Sequence, residues 1–330
     1  MLGYVKQLEV SVSLLDKIRQ FFCGIIVEQF EQGIVIKIPI NQKRTEKVFK
    51  KMVKKIQKFK INTLVFSNGT AFFQEQFVDK LNQLNSNLKV DMVDGRNVIE
   101  YMQFDIWGYI LKLQGKNISQ EDIFFLIKKD TKLDLAFLTD FIKQSKTVNI
   151  VTNDIERFKK IQENLYENEN ILISVSNNKA KALKKARYIF NVNMNKKEIA
   201  KFKINKYAII LNVREKFKYD ENGFQGININ NIKIKMPDEY MEKFEKVNNN
   251  EKDLFDNTKL YETILLQQIQ NENAKSLIKT ENNIKNMYFE LAKNIIKKDE
   301  IKISKLVGNN GEIGAEEIIK NKNIYETILK

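Results

Sequence analysis

Polar side chains capable of chemistry gather at the ends of the short apolar runs of this sequence. They are Ser67, Asn68 and Thr70; Asp91, Asp94 and Arg96; Lys128, Lys129 and Asp130; Thr152, Asn153 and Asp154; Ser176, Asn177 and Asn178; and Asn191 and Asn193. In a parallel sheet, ligands sit outside the carboxyl ends of the strands, so this set is the candidate crevice. Its amides, hydroxyls and carboxylates suit hydrogen bonding to a nucleotide or a small metabolite. The same residue types also cap helices and close turns in any α/β protein. The chain has no histidine, and its single cysteine is Cys23. Ser-His-Asp, Cys-His and HExxH chemistry are therefore excluded, as is a thiolate zinc site. Any catalysis falls to Asp, Glu, Lys, Tyr or a bound cofactor. Asp91, Asp94 and Lys128 are the candidates for it; no catalytic residue is assigned.

The elements that must position these groups centre on residues 123–193. Three apolar runs lie there at even spacing: Phe124-Phe125-Leu126-Ile127, Val148-Asn149-Ile150-Val151 and Ile171-Leu172-Ile173-Ser174-Val175. A fourth, Tyr188-Ile189-Phe190-Asn191-Val192, follows. Helix-patterned segments separate them, the last carrying Ala180, Leu183 and Ala186 behind a cap at Asn177 or Asn178. Asp154 is placed to cap the helix before it, and Thr131 with Asp134 resembles a capping box. Strands apolar on both faces, alternating with amphipathic helices, predict a parallel sheet covered on both sides. A last strand is expected at Tyr207–Val213, and a small hairpin over residues 227–235.

Upstream, Glu31-Gln32-Gly33 reads as a hairpin turn, and residues 45–60 as a helix. Its apolar stripe is Val48, Phe49, Met52, Val53, Ile56 and Phe59, and its other face is lysine-rich from Lys47 to Lys58. Thr63–Phe66, a helix and Lys89–Val93 complete a β-α-β unit. A long apolar helix from Asn97 to Leu113 then connects to the next domain. Asn248–Lys252 reads as a linker, and the remainder is mostly helical, interrupted at Leu306–Gly314 by a glycine-rich stretch that reads as a plain turn rather than a phosphate loop. The expected fold class is α/β: an N-terminal β-α-β domain over 1–115, a Rossmann-like parallel-sheet domain over 116–247 and a helical C-terminal tail over 248–330.

Two stretches carry a resemblance. VNIVTNDIERFKKIQENL is similar to the second strand and helix of shikimate-dehydrogenase-like and glutamyl-tRNA-reductase-like Rossmann domains, which often read strand-Asn-Arg-Thr-x-x-Arg-Ala followed by Leu. Asn153 stands at the asparagine and Arg157 at the later arginine. ALKKARYIFNVN resembles the Leu-x-x-Ala-Asp-x-x-Ile-Asn-Ala-Thr segment of the same family, with Leu183, Ala186 and Asn191 matching. The resemblance covers about 123–193. It implies NAD as the possible cofactor and Asn153, Asp154, Arg157 and Asn191 as the cofactor-binding residues. The departures are chemical. The glycine-rich turn that lets a backbone approach the pyrophosphate is replaced by Lys128–Asp134, and no glycine occurs between Gly115 and Gly223. Asp154 stands where an arginine would meet a 2′-phosphate, which disfavours NADP and suits a ribose hydroxyl. Arg187 replaces the family's aspartate and Asn193 its threonine.

The formal charge is +14. The excess is lysine, and phosphate and base recognition favour arginine's planar fork. A chain rich in Ile and Asn, with Pro39 and Pro237 alone, fits an AT-rich coding bias better than nucleic-acid binding. The start of the chain lacks the basic-then-apolar order of a signal peptide, and no run reaches membrane-spanning length, so a cytoplasmic chain without a membrane partner is expected. Three readings stay open. The favoured one is a non-catalytic binding or regulatory module that has lost its phosphate turn, holds no cofactor and has a small molecule, a protein or a second copy of itself as partner. The others are an NAD(P)-dependent oxidoreductase of the shikimate or amino-acid dehydrogenase type, and a nucleic-acid-associated protein using the lysine face.

Overall fold

The computed structural model of the chain describes residues 1–8, 18, 22, 24–31, 33–39, 45–84, 88, 90–128, 136–219, 223–248, 254–275 and 281–329. The expected capping pair Thr131 and Asp134, together with Lys129, Asp130 and residues 249–252 of the expected linker, lies outside them. The chain forms two compact units, each assembled from two segments: 1–95 with 236–268, and 96–235 with 269–330.

The first unit opens with β1 (Leu2–Gln7), β2 (Ile26–Phe30) and β3 (Gly33–Ile38). Helix α1 (Thr45–Lys58), β4 (Thr63–Phe66), α2 (Ala71–Leu84) and β5 (Asp91–Val93) follow. The sheet runs β2-β3-β1-β4-β5, parallel except for β2. The hairpin expected around Gly33 is present, with Phe30 paired to Gly33. Gly33 has φ +146, and a Cβ there would lie 2.6 Å from the Leu2 carbonyl oxygen, so β1 can approach only a glycine. Val48, Phe49, Met52 and Ile56 of α1 are buried as its periodicity requires, and pack with Val5, Ile36, Leu64 and Phe66 of the sheet. The rings of Phe49 and Phe73 stand 4.4 Å apart. Each such side chain removed from water contributes roughly 1.5–3 kcal/mol. Strand β1 is central, yet Lys6 and Gly3 interrupt its apolar pattern, so the sequence alone does not mark it as a strand.

The second unit begins with α3 (Arg96–Tyr101) and α4 (Gln103–Leu113). The single connector helix expected here is broken at Met102, and both pieces lie in this unit. Then come β6 (Asp122–Ile127), α5 (Leu138–Gln144), β7 (Thr147–Thr152), α6 (Ile155–Glu169), β8 (Ile173–Ser176), β9 (Tyr188–Asn191), α7 (Lys196–Ile199), β10 (Ile209–Asn212), β11 (Ile227–Ile229) and β12 (Asn231–Lys235). Six of these strands form an all-parallel sheet in the order β11-β10-β9-β6-β7-β8. Counted from β6, that is 3-2-1-4-5-6, the order of the dinucleotide-binding fold. One face is covered by Trp107 and Phe141 against Phe190, with Phe141 and Phe190 centroids 5.1 Å apart. The opposite face packs Leu126, Ile189 and Ile210 against Leu183, Ala186, Ile199 and Phe202.

Two local expectations are corrected. Residues 179–185 are successive turns rather than a helix. Asn178 does cap them, its Oδ1 accepting from Ala180 and Lys181 N–H at 3.1 and 3.0 Å. However, the Lys179 and Leu183 carbonyls accept from Lys203 and Asn205, which engages them outside the segment. Residues 227–235 are not a hairpin either. β11 pairs parallel to β10, and β12 pairs antiparallel to a strand from the end of the chain. Gly226 immediately precedes β11, and a Cβ there would lie 2.0 Å from the Ala208 carbonyl oxygen.

The chain returns to the first unit with α8 (Asp238–Asn248) and the beginning of α9 (Asn257–Lys275). It ends in the second with α10 (Glu281–Lys298), β13 (Lys302–Val307), β14 (Glu312–Ile313) and α11 (Ala315–Leu329). The C-terminal region is helical as expected, with one addition: β13 and β14 join β12 in a three-stranded antiparallel sheet. No helix among the described residues is long and apolar enough to cross a membrane.

Candidate functional site

The crevice predicted from strand ends resolves into the edges of two different sheets, with one exception: Asp91 begins β5 and lies at its amino end, beside Thr63 at the start of β4. In the second unit the topological switch point lies between β6 and β9. The segment after β6, where a phosphate turn would stand, is described only as far as Lys128. Its backbone N–H donates to Asn193 Oδ1 at 2.8 Å. Its ammonium pairs with Glu198 at 3.1 Å. Glu198 belongs to a capping box with Asn195 that starts α7. Burial pushes the Glu198 carboxyl up, but the Asn195 N–H and Lys128 outweigh it and hold the group below the usual carboxylate range. The two strand ends are therefore bridged by an amide and an ion pair at the place where a dinucleotide fold receives its phosphates.

On the β7 side the edge is open. Asn153 is exposed and Asp154 half-buried. The Asp154 N–H donates to Thr152 Oγ1 at 3.0 Å, while its side chain makes no cap bond to α6. Arg157, in the first turn of α6, lies over the Phe158 ring with 5.5 Å to the centroid. Asn191 is two strands away from β7 with β6 between. The structure thus brings Asn153, Asp154 and Arg157 together and sets Asn191 apart.

Asn191 is fully buried, and its amide is engaged at both ends. Nδ2 donates to the Met194 carbonyl at 2.8 Å and to Asn212 Oδ1 at 3.0 Å, and Oδ1 accepts from the Met194 N–H at 2.9 Å. Asn212 Nδ2 in turn donates to Asn228 Oδ1 and Asn230 Oδ1, both at 2.9 Å. Asn228 and Asn230 donate to the Phe217 carbonyl, and Asn230 also to Asn309 Oδ1 at 2.6 Å. Arg96 closes the edge. Its Nη1 donates to the Asn212 and Val213 carbonyls at 2.8 and 3.0 Å, and its Nη2 to the Asn230 carbonyl at 2.5 Å. Strand-end carbonyls that no ladder partner satisfies are so bonded to one guanidinium. The Asn-x-Asn alternation of Asn228 and Asn230 is the sequence signal for this chain of amides, and the same alternation also fits the hairpin expected there.

In the first unit the corresponding edge is ionic. Lys259 of α9 is buried and donates to the Phe66 carbonyl at the end of β4, at 3.1 Å. Burial lowers its ammonium below the usual lysine value, opposed by Asp256, Asp94 and Glu262. Ser67 and Thr70, two members of the predicted crevice, are buried and hydrogen-bonded to each other at 3.2 Å. Among the described residues no group of three or more acidic or cysteine side chains is placed to hold a metal ion.

Fold and site together define a Rossmann-like α/β protein. No protein-family model matches the sequence, and no curated protein matches it. Among solved structures, a chain assigned as an aspartate carbamoyltransferase from Trypanosoma cruzi is 10% identical, with 64% of this chain and 68% of that one covered and a TM-score of 0.22. L-tryptophan dehydrogenase from Nostoc punctiforme is 8% identical, with 99% and 89% covered and a TM-score of 0.26. Likeness of that size carries no argument about function, and the fold class rests on the strand order.

Proposed function

We propose that the chain is a non-catalytic binding or regulatory module on a Rossmann-like scaffold. The observation that carries this reading is the bridge at the switch point, where the Asn193 side chain takes the Lys128 N–H that a phosphate would otherwise use. The engaged amide of Asn191 supports it, since that residue serves the strand edge rather than a ligand. Calorimetry with NAD, NADH, NADP and NADPH tests it, together with turnover assays using hydroxy and amino acids. The expected result is no heat and no turnover. Sub-millimolar binding of any one of the four, accompanied by hydride transfer, would overturn it.

One observation favours a second reading, an NAD-dependent oxidoreductase. Asn153 and Asp154 remain uncommitted at the carboxyl end of β7, where an acidic side chain of a dinucleotide fold meets the ribose 2′-hydroxyl. In that case D154N would weaken NAD binding by roughly tenfold, the loss of one charge-assisted hydrogen bond. The same calorimetry decides between the two.

A further inference from the structure

Beside the edge strand β11 lies a cavity of about 300 Å³. Loop residues after β10 form one wall, with Lys218, Tyr219 and Phe224. The turn between β13 and β14 and the first turn of α11, with Glu317, form the other. The walls are set by bonds already described or local to them. The Gly308 N–H donates to the Gly311 carbonyl at 2.8 Å, closing the turn. Asn230 reaches Asn309 from the amide network and holds that turn against the strand edge. The rings of Tyr219 and Phe224 meet edge to face, 4.9 Å between centroids, and give the cavity an aromatic side.

Its charges are distributed unequally. Glu312 on the rim is saturated by Lys233 at 2.8 Å and by Lys305. Lys218 and Glu317 are exposed, and neither side chain has an ion-pair or hydrogen-bond partner among the described residues. A cationic and an anionic side chain thus line one small cavity without neutralising each other. A purely anionic ligand would meet Glu317 there, and a purely cationic one would meet Lys218. A molecule bearing both charges meets a complement for each, and its apolar part has the aromatic side to cover. The volume stands at the low end of small-molecule sites and excludes a dinucleotide.

We propose that this cavity binds a small zwitterion, with its anionic group toward Lys218, its cationic group toward Glu317 and its apolar portion against Phe224. The proposal rests on the reading of the chain as a binding module and adds the class of ligand, at a place other than the β6–β9 switch point.

Calorimetry on the full chain tests it with alanine, leucine and phenylalanine as free zwitterions, and with their N-acetyl and carboxamide forms as singly charged controls. At least one zwitterion should bind. Either cap, and either of the variants K218M and E317Q, should weaken that binding roughly 10- to 100-fold, as expected for a lost hydrogen bond to a charged group, while K218R retains it. Both substitutions lie at exposed positions, so circular dichroism should be unchanged. No heat with any zwitterion would overturn the proposal, as would equal binding of capped forms or of the variants. NAD is titrated in parallel. Heat in that arm bears on the binding-module reading alone, whatever the zwitterions do.

Discussion

The two larger sheets of this molecule meet the same problem at their carboxyl edges and solve it with different chemistry. A strand that stops in the interior leaves carbonyls without a ladder partner, and an orphaned buried carbonyl is costly. In the second unit the answer is a string of neutral amides, Asn191, Asn212, Asn228 and Asn230, closed by the fork of Arg96. In the first it is an ammonium, Lys259 on the Phe66 carbonyl, with carboxylates nearby. The difference matters because a guanidinium keeps its charge at any accessible pH, whereas a buried ammonium does not. Between the two groups that close the edges, sensitivity to pH is therefore expected of Lys259 in the first unit, and the Arg96 closure of the second should be indifferent to it.

The strongest way to break this comparison is Arg96→Met. Three strand-end carbonyls would lose their donor, and stability should fall by about 3–5 kcal/mol at any pH between 6 and 9. Urea unfolding followed by circular dichroism measures it. Arg96→Lys should recover only part, because one ammonium cannot reproduce the planar fork. Full recovery would show that charge, not geometry, closes the edge.

The next effect sharpens the first unit's side. Burial pushes the Tyr4 hydroxyl up to about 12, opposed by its hydrogen bond to Thr263. A raised tyrosine value means that the folded chain holds its proton longer than the unfolded one. Stability is thus intact below pH 10 and is lost as pH rises from 10 through 12, by about 2–3 kcal/mol. Lys259 acts in the opposite sense. Its lowered value imposes a penalty at neutral pH that is relieved as pH rises toward the ordinary lysine value. Thermal melts from pH 8 to 11.5 should therefore rise before they fall. Tyr4→Phe should shrink the fall, leaving the share of Tyr188 and Tyr325 in the second unit, whose hydroxyls burial also pushes up, and Lys259→Met should remove the rise. A profile unchanged in both variants would count against an ionic edge in the first unit.

Smallest is the bridge at the switch point. The Lys128–Glu198 pair is partly exposed, at 49% and 24% of the side chains, and such a pair is screened by solvent. Lys128→Met should cost no more than about 1 kcal/mol, with the effect fading as salt is raised from 20 to 500 mM. A loss several times larger would mean that this region, not the Arg96 network, holds the edge together.

Much of the fold was legible in the sequence, and the reasons are local. Runs such as Phe124–Ile127 and Val148–Val151 are apolar on both faces because both faces are covered, and the stripe of α1 is buried where its period puts it. What escaped was set by long-range partners. β1 carries a buried lysine, so its pattern does not look like a central strand. Residues 227–235 alternate like a hairpin, but one half joins β10 and the other joins β13, more than sixty residues further on. For the site, Asn153 and Asp154 were placed at a strand end by spacing alone and are found there. Asn191 was placed equally well, yet its commitments to Met194 and Asn212 depend on a register no single stretch reveals.

Each unit is sewn from two separated lengths of chain, and this sets an order for its making. As the chain leaves the ribosome, all six parallel strands of the second sheet have emerged once residue 229 is out. The first unit must wait for residues 236–268, including Lys259 and the Phe244 and Phe255 rings that pack on Tyr4. Each unit is therefore closed only by a later length of chain, the first by residues 236–268 and the second by 269–330, and a fragment ending at residue 95 lacks the Phe244 and Phe255 rings that pack on Tyr4.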